Sequence, residues 1–352
     1  MASTDDVRQG VTIYSVADRA GVSIATVSRV LHGSAVVSER TRGKVLEAAS
    51  ELDYLPSGAA RSLAARRHAT YGLVLPELTG PYYAELLVGF EGRAAELEHS
   101  VMLVLAGTKD RGRAVRTLAS RVDGIAVLGA DAHSMDPVLK PVVVIGGEAR
   151  PGVEAVATEN TESARYLTEH LLQHGRRRLL FVGDPDAAFD VRERHDGFLR
   201  AHHDRGLPPA EPVRAEFREH AGVAVAERII AGEHDPDALV CGNDELALAI
   251  MTRLMDGGID VPGAIAVVGW DDVMTARYVR PGLTTVRQPV QQVGSLAAER
   301  LHDLVNGATP SAERRVLPTE VVIRTSCGCP PGPSPASLRP IPATHHTTPP
   351  RK

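Results

Sequence analysis

Short apolar runs alternate with longer helical patterns across residues 71–326, and this alternation limits the possible folds more than any other feature. The runs are rich in Val, Leu and Ile and end at Gly, Asp or Pro. Continuous apolar strands of this kind belong in a parallel sheet that is covered on both faces. We predict an α/β fold of parallel, doubly wound sheets. Its predicted strands are YGLVLP, VMLVLA, GIAVLG, PVVVIGG, RLLFVGD, DALVCGN and AIAVVGW.

The alternating region is too long for one such sheet of ordinary size, so we predict two lobes. Ligands of doubly wound sheets bind outside the carboxyl ends of the strands. Two lobes that face each other would therefore enclose a ligand cleft at those ends. Amphipathic helices are predicted between the runs at residues 82–98, 161–174, 192–204 and 243–256.

The preceding segment, residues 11–55, holds short helical patterns and no strand-like run. In the stretch VADRAGVSIATVSRVL, Gly21 separates two helical patterns, and glycine readily adopts the positive φ that a tight turn between helices requires. Ser23 suits the N-cap of the second helix. We predict a helix-turn-helix domain. Its third helix, over residues 38–52, would close the bundle through Val45, Leu46, Ala49 and Leu52.

The second helix of this domain is expected to read DNA. Its apolar positions Val27, Val30 and Leu31 point to the core, which leaves small and polar side chains on the outer face. In a helix-turn-helix that face enters the major groove, where an arginine reaches a guanine edge or a phosphate. A three-helix packing unit without DNA binding is the alternative. The predicted DNA contacts are Ser23, Ile24, Ala25, Thr26, Ser28 and Arg29.

The connector at residues 56–70 is rich in alanine and arginine. An isolated helix of about ten residues is marginal in water, so we predict a hinge helix that folds only on DNA and against its twin from a second subunit. Leu63 would then be an apolar wedge in the minor groove, and Arg61 would contact a phosphate. A flexible linker is the alternative.

Charge is unevenly distributed along the chain. Residues 1–68 carry nine Lys/Arg and seven Asp/Glu, so this part is net +2, and the remainder of a chain with net charge −5 is −7. A mildly basic head on an acidic body fits a DNA-binding module joined to another domain. No apolar run is long enough to span a membrane, and the polar start MASTDDVRQG does not resemble a secretory signal. We expect a cytoplasmic protein without a membrane partner.

The three cysteines predict neither disulfides nor a metal site. Cys241 stands alone, while Cys327 and Cys329 form a C-x-C whose spacing matches no common zinc site. We therefore predict no metal ligands and no cofactor. The proline-rich residues 327–352 and the polar arm at residues 1–10 are predicted to be disordered.

Several motifs occur together in a specific order. The head contains IYSVADRAGVSIATVSRVLHG, VSERTRGKVLEAASELDYLP and ARSL. The body contains GPYYAELLVGFE, RVDGIAVL, ERHDGF, CGNDELALAIMTRLMDGGIDVP, AIAVVGWDD and RPGLTTVRQPVQQVG. In these motifs the chain resembles the lactose repressor/galactose repressor family of bacterial transcription regulators over residues 11–326. The resemblance implies a two-lobed core like periplasmic sugar-binding proteins, and a homodimer or dimer of dimers on a palindromic operator, switched by a small molecule.

By motif position, the resemblance also implies an effector site in the cleft. An arginine fork, an amide and a carboxylate between aromatic walls suit a polyhydroxylated ligand, because each hydroxyl needs a donor or an acceptor. Structural roles remain the alternative: Asn243 as a helix cap and Asp271 as a loop anchor. The implied effector-binding residues are Tyr82, Tyr83, Arg194, Asn243, Trp270 and Asp271, with the single tryptophan as a reporter of binding.

The chain departs from the family pattern in the hinge and in the connection between the lobes, among other places. The hinge begins with Pro56-Ser57-Gly58, and glycine weakens a helix by up to about 1 kcal/mol relative to alanine. After the strand that leads to the second lobe, Glu159 replaces the usual aspartate and Ser163 the usual glycine. Lobe crossover and ligand choice are therefore expected to differ from the family pattern.

We predict a sequence-specific DNA-binding transcriptional regulator, a repressor, whose operator affinity is controlled by a small-molecule effector, a carbohydrate by default. One alternative is a sugar-binding protein without DNA-regulatory activity, which would need export. An enzyme is the other rival, because doubly wound sheets host many reactions. The chain has no G-x-G-x-x-G after a strand, G-x-x-x-x-G-K-[ST], G-x-S-x-G or H-E-x-x-H, so no catalytic residue is predicted.

Overall fold

The computed structural model describes residues 11–31, 37–54, 68–107, 110–129, 140–330 and 338–342. The chain divides into two compact units, Met1–His68 and Ala69–Lys352. The predicted N-terminal arm and the hinge residues Arg61 and Leu63 lie outside the described residues. None of the helices in the described ranges is long and apolar enough to cross a membrane.

The first unit contains three short helices: α1 (Ile13–Ala20), α2 (Ile24–Leu31) and α3 (Glu39–Glu51). Gly21 ends α1 with a φ of 65°, which is the left-handed conformation that the tight turn needs. Ser23 Oγ accepts a hydrogen bond from the backbone N–H of Thr26 at 3.2 Å, as an N-cap does. The small core comprises Val16, Ala17, Val27, Val30, Val45, Ala48 and Ala49.

One predicted core position of this unit is wrong. Leu46 is 50% exposed, whereas Ala48 is buried. The reason is the phase of α3: Val45, Ala48 and Ala49 follow the i, i+3, i+4 spacing of one helix face, and position 46 is rotated by about 100° from Val45.

The second unit alternates strands and helices. Its strands are β1 (Thr70–Leu75), β2 (Ser100–Leu105), β3 (Gly124–Leu128), β4 (Val142–Ile145), β5 (Glu154–Thr158), β6 (Leu179–Val182), β7 (Ala238–Cys241), β8 (Ala266–Val268), β9 (Thr285–Arg287), β10 (Arg314–Leu317), β11 (Thr319–Val322) and β12 (Leu338–Ile341). Its helices are α4 (Pro81–Glu96), α5 (Arg111–Ala119), α6 (Thr161–Gln173), α7 (Phe189–Asp204), α8 (Glu219–Ile230), α9 (Asp244–Asp256), α10 (Thr275–Tyr278) and α11 (Val290–Val305). All seven strands predicted from apolar runs are confirmed.

The first lobe is built on a parallel sheet with the strand order β10-β5-β4-β3-β1-β2. Helices α4 and α11 cover one face through residues such as Phe90 and Leu301, and α5 covers the other face through Val115 and Leu118. The strand order reverses between β1 and β3. In doubly wound sheets such a reversal opens a crevice at the carboxyl ends of the strands.

The second lobe has a parallel sheet of order β6-β7-β8. Helices α6 and α7 pack on one face around Phe181 and Phe198, and α8 and α9 pack on the other around Leu239 and Ile250. A separate antiparallel sheet, β12-β11-β9, adjoins the first of these cores through Val321 and other residues. The two-lobed α/β prediction is therefore confirmed.

The prediction of disorder from residue 327 onward is wrong at two places. Cys327 is fully buried in the second lobe, and residues 338–341 form β12. This strand pairs antiparallel with β11 and buries Ile341, so backbone hydrogen bonds and apolar burial order it despite the proline-rich composition. Pro340 is tolerated because β12 is an outer strand of its sheet.

Candidate functional site

A cavity of about 850 Å³ lies between the two lobes. It is lined by residues that follow the carboxyl ends of strands in both lobes, as the sheet topology predicts. Its volume falls within the usual range of small-molecule sites. Five of the six side chains that the sequence assigned to an effector site line the cavity: Tyr82, Tyr83, Arg194, Asn243 and Asp271.

Arg194 is held beside the cavity by three neighbours. Its Nε donates to Asn160 Oδ1 at 2.9 Å, and its Nη1 donates to the carbonyl oxygen of Gly242 at 2.7 Å. Its Cζ lies 4.6 Å from the centre of the Trp270 ring, a cation–π distance. The side chain is almost fully buried. A guanidinium fixed in this way presents a planar hydrogen-bond donor to the cleft.

Trp270 occupies a different place from the one that the sequence suggested. The indole is buried, packs under Arg194 and is not among the residues that line the cavity. A large ring at the end of β8 finds its apolar contacts in the core of the second lobe. Trp270 therefore supports the guanidinium of Arg194 from behind.

Asp271 lies on the cavity wall and receives a hydrogen bond from Gln288 Nε2 on its Oδ1 at 2.6 Å. Burial raises the pKa of Asp271 to about 7, although the positive Arg194 and the Gln288 hydrogen bond act in the opposite direction. The residue has a φ of 119°. The carboxyl group thus changes between hydrogen-bond donor and pure acceptor near neutral pH.

Asp190 is a second carboxyl group on the wall, and the sequence reasoning missed it. Burial raises its pKa above the usual range. Its Oδ1 is buried and has no hydrogen-bond partner among the described residues. A buried polar atom without a partner is costly, so this oxygen is suited to accept a hydrogen bond from a ligand. The spacing to Arg194, four residues on in the same helix, is the sequence signal that could have found it.

The two tyrosines form the aromatic part of the wall. Their ring centres are 5.7 Å apart and their planes are perpendicular. Burial raises the pKa of both phenols, so both stay neutral. The Tyr83 hydroxyl donates to Glu77 Oε1 at 3.3 Å. The pair offers apolar ring faces beside polar groups.

Asn243 caps a helix, which is the structural role that the sequence analysis gave as the alternative to ligand binding. Its Oδ1 accepts a hydrogen bond from the backbone N–H of Leu246 at 2.9 Å, which caps the N-terminus of α9. The residue also lines the cavity. Capping occupies its carbonyl oxygen and leaves the amide nitrogen as the group for ligand contact.

Hydrogen bonds join the connections between the lobes to the cavity wall. Thr158 Oγ1 donates to Gln288 Oε1 at 2.6 Å, and the same Gln288 holds Asp271. The departure at Glu159 is explained here: its carboxylate accepts hydrogen bonds from the backbone N–H groups of Glu162 and Ser163, at 2.6 and 2.9 Å, at the start of α6. Ser163 Oγ also donates to Glu159, at 2.7 Å. The carboxylate of Glu159 thus satisfies two backbone N–H groups in the first turn of α6.

The residues predicted to contact DNA lie at the start and on the outer face of α2 in the first unit. Ser23, Ile24, Ala25 and Arg29 are exposed, while Thr26 and Ser28 are half-buried. Ile24 is 40% exposed, so this face presents an apolar side chain beside the polar ones. Small residues and one arginine on an open helix face can approach a groove closely.

Comparison with known proteins supports both units. The family description "Bacterial regulatory proteins, lacI family" matches residues 12–57, and a periplasmic binding protein-like domain matches residues 168–327. Catabolite control protein A of Priestia megaterium is 30% identical over 328 residues, which cover 90% of this chain and 99% of that protein. The chain belongs to the lacI family. The HTH-type transcriptional repressor PurR of Vibrio parahaemolyticus is 34% identical and covers 90% of this chain and 98% of that protein.

Solved structures of lacI-family proteins have the same fold as this chain. The lac repressor dimer bound to operator and the anti-inducer ONPF superposes with a TM-score of 0.81 at 26% identity, covering 91% of this chain and 99% of that chain. The regulator CelR in complex with cellobiose gives a TM-score of 0.68 at 30% identity, covering 90% and 99%. Like these relatives, the chain is a DNA-binding transcriptional regulator with an effector-binding domain, not an enzyme.

Proposed function

We propose that this regulator is a cytoplasmic repressor that binds a palindromic operator as a homodimer or a dimer of dimers, and that a carbohydrate in the cleft controls its operator affinity. The observation that carries the effector class is the arrangement around Arg194. A fixed guanidinium that donates hydrogen bonds lies among two carboxyl groups, Asp190 and Asp271, and a tyrosine pair.

A polyol satisfies this set of groups better than an anion or an apolar ligand does. Each sugar hydroxyl both donates and accepts, so it can receive a hydrogen bond from Arg194 and give one to a carboxyl oxygen. The unpaired Asp190 Oδ1 is the acceptor that such a hydroxyl needs. The C–H face of a sugar ring can lie on Tyr82 or Tyr83. A dianionic ligand would meet the carboxyl groups of Asp190 and Asp271, and binding would be opposed by the negative charge that these groups carry above their raised pKa values.

Two relatives favour the same class of effector. CelR, at 30% identity, was solved with cellobiose, and the lac repressor at 26% identity was solved with ONPG. The lac repressor dimer was also solved on its operator. These ligands belong to those proteins, and the present chain departs from the family pattern implied by the resemblance at Glu159 and Ser163. A carbohydrate of different identity is therefore the proposal.

On the DNA side, the proposal assigns base contacts to the outer face of α2 and phosphate contacts to Arg61. Leu63 would enter the minor groove at the centre of the operator, paired with its twin, and kink the DNA there. Both hinge residues lie outside the described residues. Effector binding between the lobes would then alter the lobe arrangement on which hinge docking depends, a coupling typically worth about 1–3 kcal/mol.

Selection of bound sequences from random duplex DNA tests the proposal, with the purified full chain at one fixed physiological salt concentration. We expect a palindrome with half-sites about one or two helical turns apart and a flexible pyrimidine–purine step at its centre. Free sugars are then screened for release of the selected duplex. Enrichment of a non-palindromic site would contradict the dimer, and release by charged metabolites but no sugar would contradict the effector class.

A further inference from the structure

Four side chains that ligate soft metals meet in the second lobe, away from the cleft. They are His170 and His174 of the α6 region and Cys327 and Cys329 of the segment after β11. The nitrogen and sulfur atoms that each would offer all lie within 4.8 Å of one another. None of the four lines the cavity between the lobes. The four residues belong neither to the cavity wall nor to the core of the helix-turn-helix unit.

Local structure brings the four groups to one point. His170 lies in the last turn of α6 and His174 follows its end, so the i, i+4 spacing places both imidazoles on one side of the helix. Gly328, between the two cysteines, has a φ of 103°, which side chains rarely adopt. This turn points both thiols of the C-x-C toward α6.

In each close contact within the cluster, a histidine Nε2 atom faces a cysteine Sγ atom. His170 Nε2 lies 3.3 Å from Cys327 Sγ and 3.6 Å from Cys329 Sγ. His174 Nε2 lies 3.2 Å from Cys329 Sγ. Both imidazole tips therefore face the sulfur atoms. The two rings are 4.7 Å apart at a steep angle, as two ligands on neighbouring corners of one polyhedron would be.

These spacings match the edges of a tetrahedral zinc site. With Zn–S of about 2.3 Å and Zn–N of about 2.0–2.1 Å, a regular tetrahedron has N···S edges of about 3.6 Å. The three observed N···S distances are 3.2, 3.3 and 3.6 Å. Shifts of a few tenths of an ångström would therefore accommodate the ion. We propose that His170, His174, Cys327 and Cys329 form a Cys₂His₂ site for zinc.

The chemistry of the donors fits this ion. Two thiolates and two imidazoles in a tetrahedron select zinc among the common divalent cations, because magnesium and calcium prefer oxygen ligands. On binding, each cysteine loses its S–H proton to solvent and forms a Zn–S bond. The two thiolates carry two negative charges, which neutralise the 2+ charge of zinc.

The site would act as a clamp. It joins the end of α6 to the segment that follows β11. Burial of Cys327 and the hydrogen bonds of Ser326 with Thr284 and Val267 hold the same segment. Cys327 is fully buried and His174 is exposed, so the metal would lie at the lobe surface with one side open for its access. A metal that binds only the folded state stabilises it.

The competing interpretation is a hydrogen-bonded cluster without metal. Cys327 Sγ lies 3.3 Å from the carbonyl oxygen of Arg324 and can donate its S–H there. Neutral thiols and imidazoles would then satisfy one another. This arrangement predicts no metal retention, so a binding experiment separates the two.

The experiment uses the full chain without an affinity tag, purified under a thiol reductant, stripped with a chelator and dialysed against zinc. Elemental analysis gives the metal content, and denatured thiol titration gives the count of free cysteines. Cobalt(II) then replaces zinc, because its thiolate charge-transfer absorption reports sulfur ligation and ignores the histidines of the C-terminal tail. The variants are His174→Gln and Cys329→Ser, and the matched control is His203→Gln, an exposed histidine of α7.

We expect one zinc per chain, a cobalt–thiolate band, and a higher Tm for the zinc-loaded than for the stripped protein. His174→Gln and Cys329→Ser should each weaken zinc binding by about tenfold or more, while His203→Gln binds as the wild type does. Because His174 is exposed, its variant should fold without metal. Stripped wild type with three free thiols that takes up no zinc, or zinc uptake unchanged in both variants, would overturn the proposal.

Discussion

At the scale of single residues, Asp271 lines the cavity although burial destabilises the charged form of its carboxyl group. Burial raises its pKa to about 7, whereas the pKa of an aspartate in an unfolded chain is about 3.9. The folded state therefore holds the proton more tightly than the unfolded state between about pH 4 and pH 7. Stability should fall as pH rises through this window, because the charged form is the one that burial opposes.

Asp271→Asn removes this penalty and should flatten part of the pH profile. Asparagine tolerates positive φ and its Oδ1 can still accept from Gln288, so the local structure should persist. We expect the variant to melt at least about 2 °C above wild type at pH 8, with the difference shrinking at pH 5. Part of the slope will remain, because burial also raises the pKa of Asp190, Glu193 and Asp244.

Asp235→Asn serves as the control, since this carboxylate is 90% exposed. It should leave the pH profile of Tm unchanged. Equal gains from Asp271→Asn at pH 5 and pH 8 would show that the effect is not protonation of this group. The same titrations, repeated with a bound sugar, report whether the ligand contacts the charged or the neutral carboxyl form.

The sequence identified residues whose chemistry is evident from one motif. Arg194, Asn243 and Asp271 each stand in a short motif, and each lines the cavity. Asn160 and Gln288 were missed because their roles depend on contacts between residues far apart in the sequence. Asn160 accepts a hydrogen bond from Arg194. Gln288 accepts a hydrogen bond from Thr158 and donates one to Asp271. Partnerships between residues so far apart in sequence have no local pattern.

At the scale of elements, Asn243 joins the N-terminus of α9 to the cleft wall. The two roles can be separated because serine caps a helix nearly as well as asparagine but lacks the amide nitrogen. Asn243→Ser should keep Tm within about 1 °C of wild type, whereas Asn243→Ala should lose about 1 kcal/mol of stability and about 2–4 °C in Tm. Both should bind the effector about tenfold more weakly.

Thermal melts and titration of the Trp270 fluorescence with effector provide the two measurements. Undiminished effector affinity in Asn243→Ser would mean that the residue acts only as a cap. Wild-type Tm in Asn243→Ala would mean that the hydrogen bond to Leu246 contributes little to α9.

Elements were predictable where their own apolar pattern defines them. The seven predicted strands are β1–β4 and β6–β8, and apolar residues such as Val, Leu and Ile make up most of each. Strands β10, β11 and β12, with the sequences RRVL, TEVV and LRPI, carry charges or a proline and gave no such signal. Their order comes from pairing with β5 and with each other, which depends on the assembled fold.

At the scale of the whole molecule, the second unit is two lobes joined by crossings near residues 158–161, 287–290 and 317–319. The first two meet in the Thr158–Gln288 hydrogen bond, which leads to Asp271 on the cavity wall. A ligand that contacts both lobes therefore acts on the same connections that set their arrangement. Such a site biases an equilibrium between lobe arrangements by its difference in affinity for them.

Thermodynamic linkage then makes a reciprocal prediction. If effector weakens operator binding, operator must weaken effector binding by the same factor, typically about 5–150-fold. We expect the effector titration of Trp270 fluorescence to shift to higher concentration when saturating operator duplex is present, and not with a scrambled duplex. Arg194→Ala should keep operator affinity and lose the effector response. Arg200→Ala, an exposed arginine of the same helix outside the cavity, should behave as wild type. An effector affinity that operator leaves unchanged would mean that the cleft binds ligand without control of DNA.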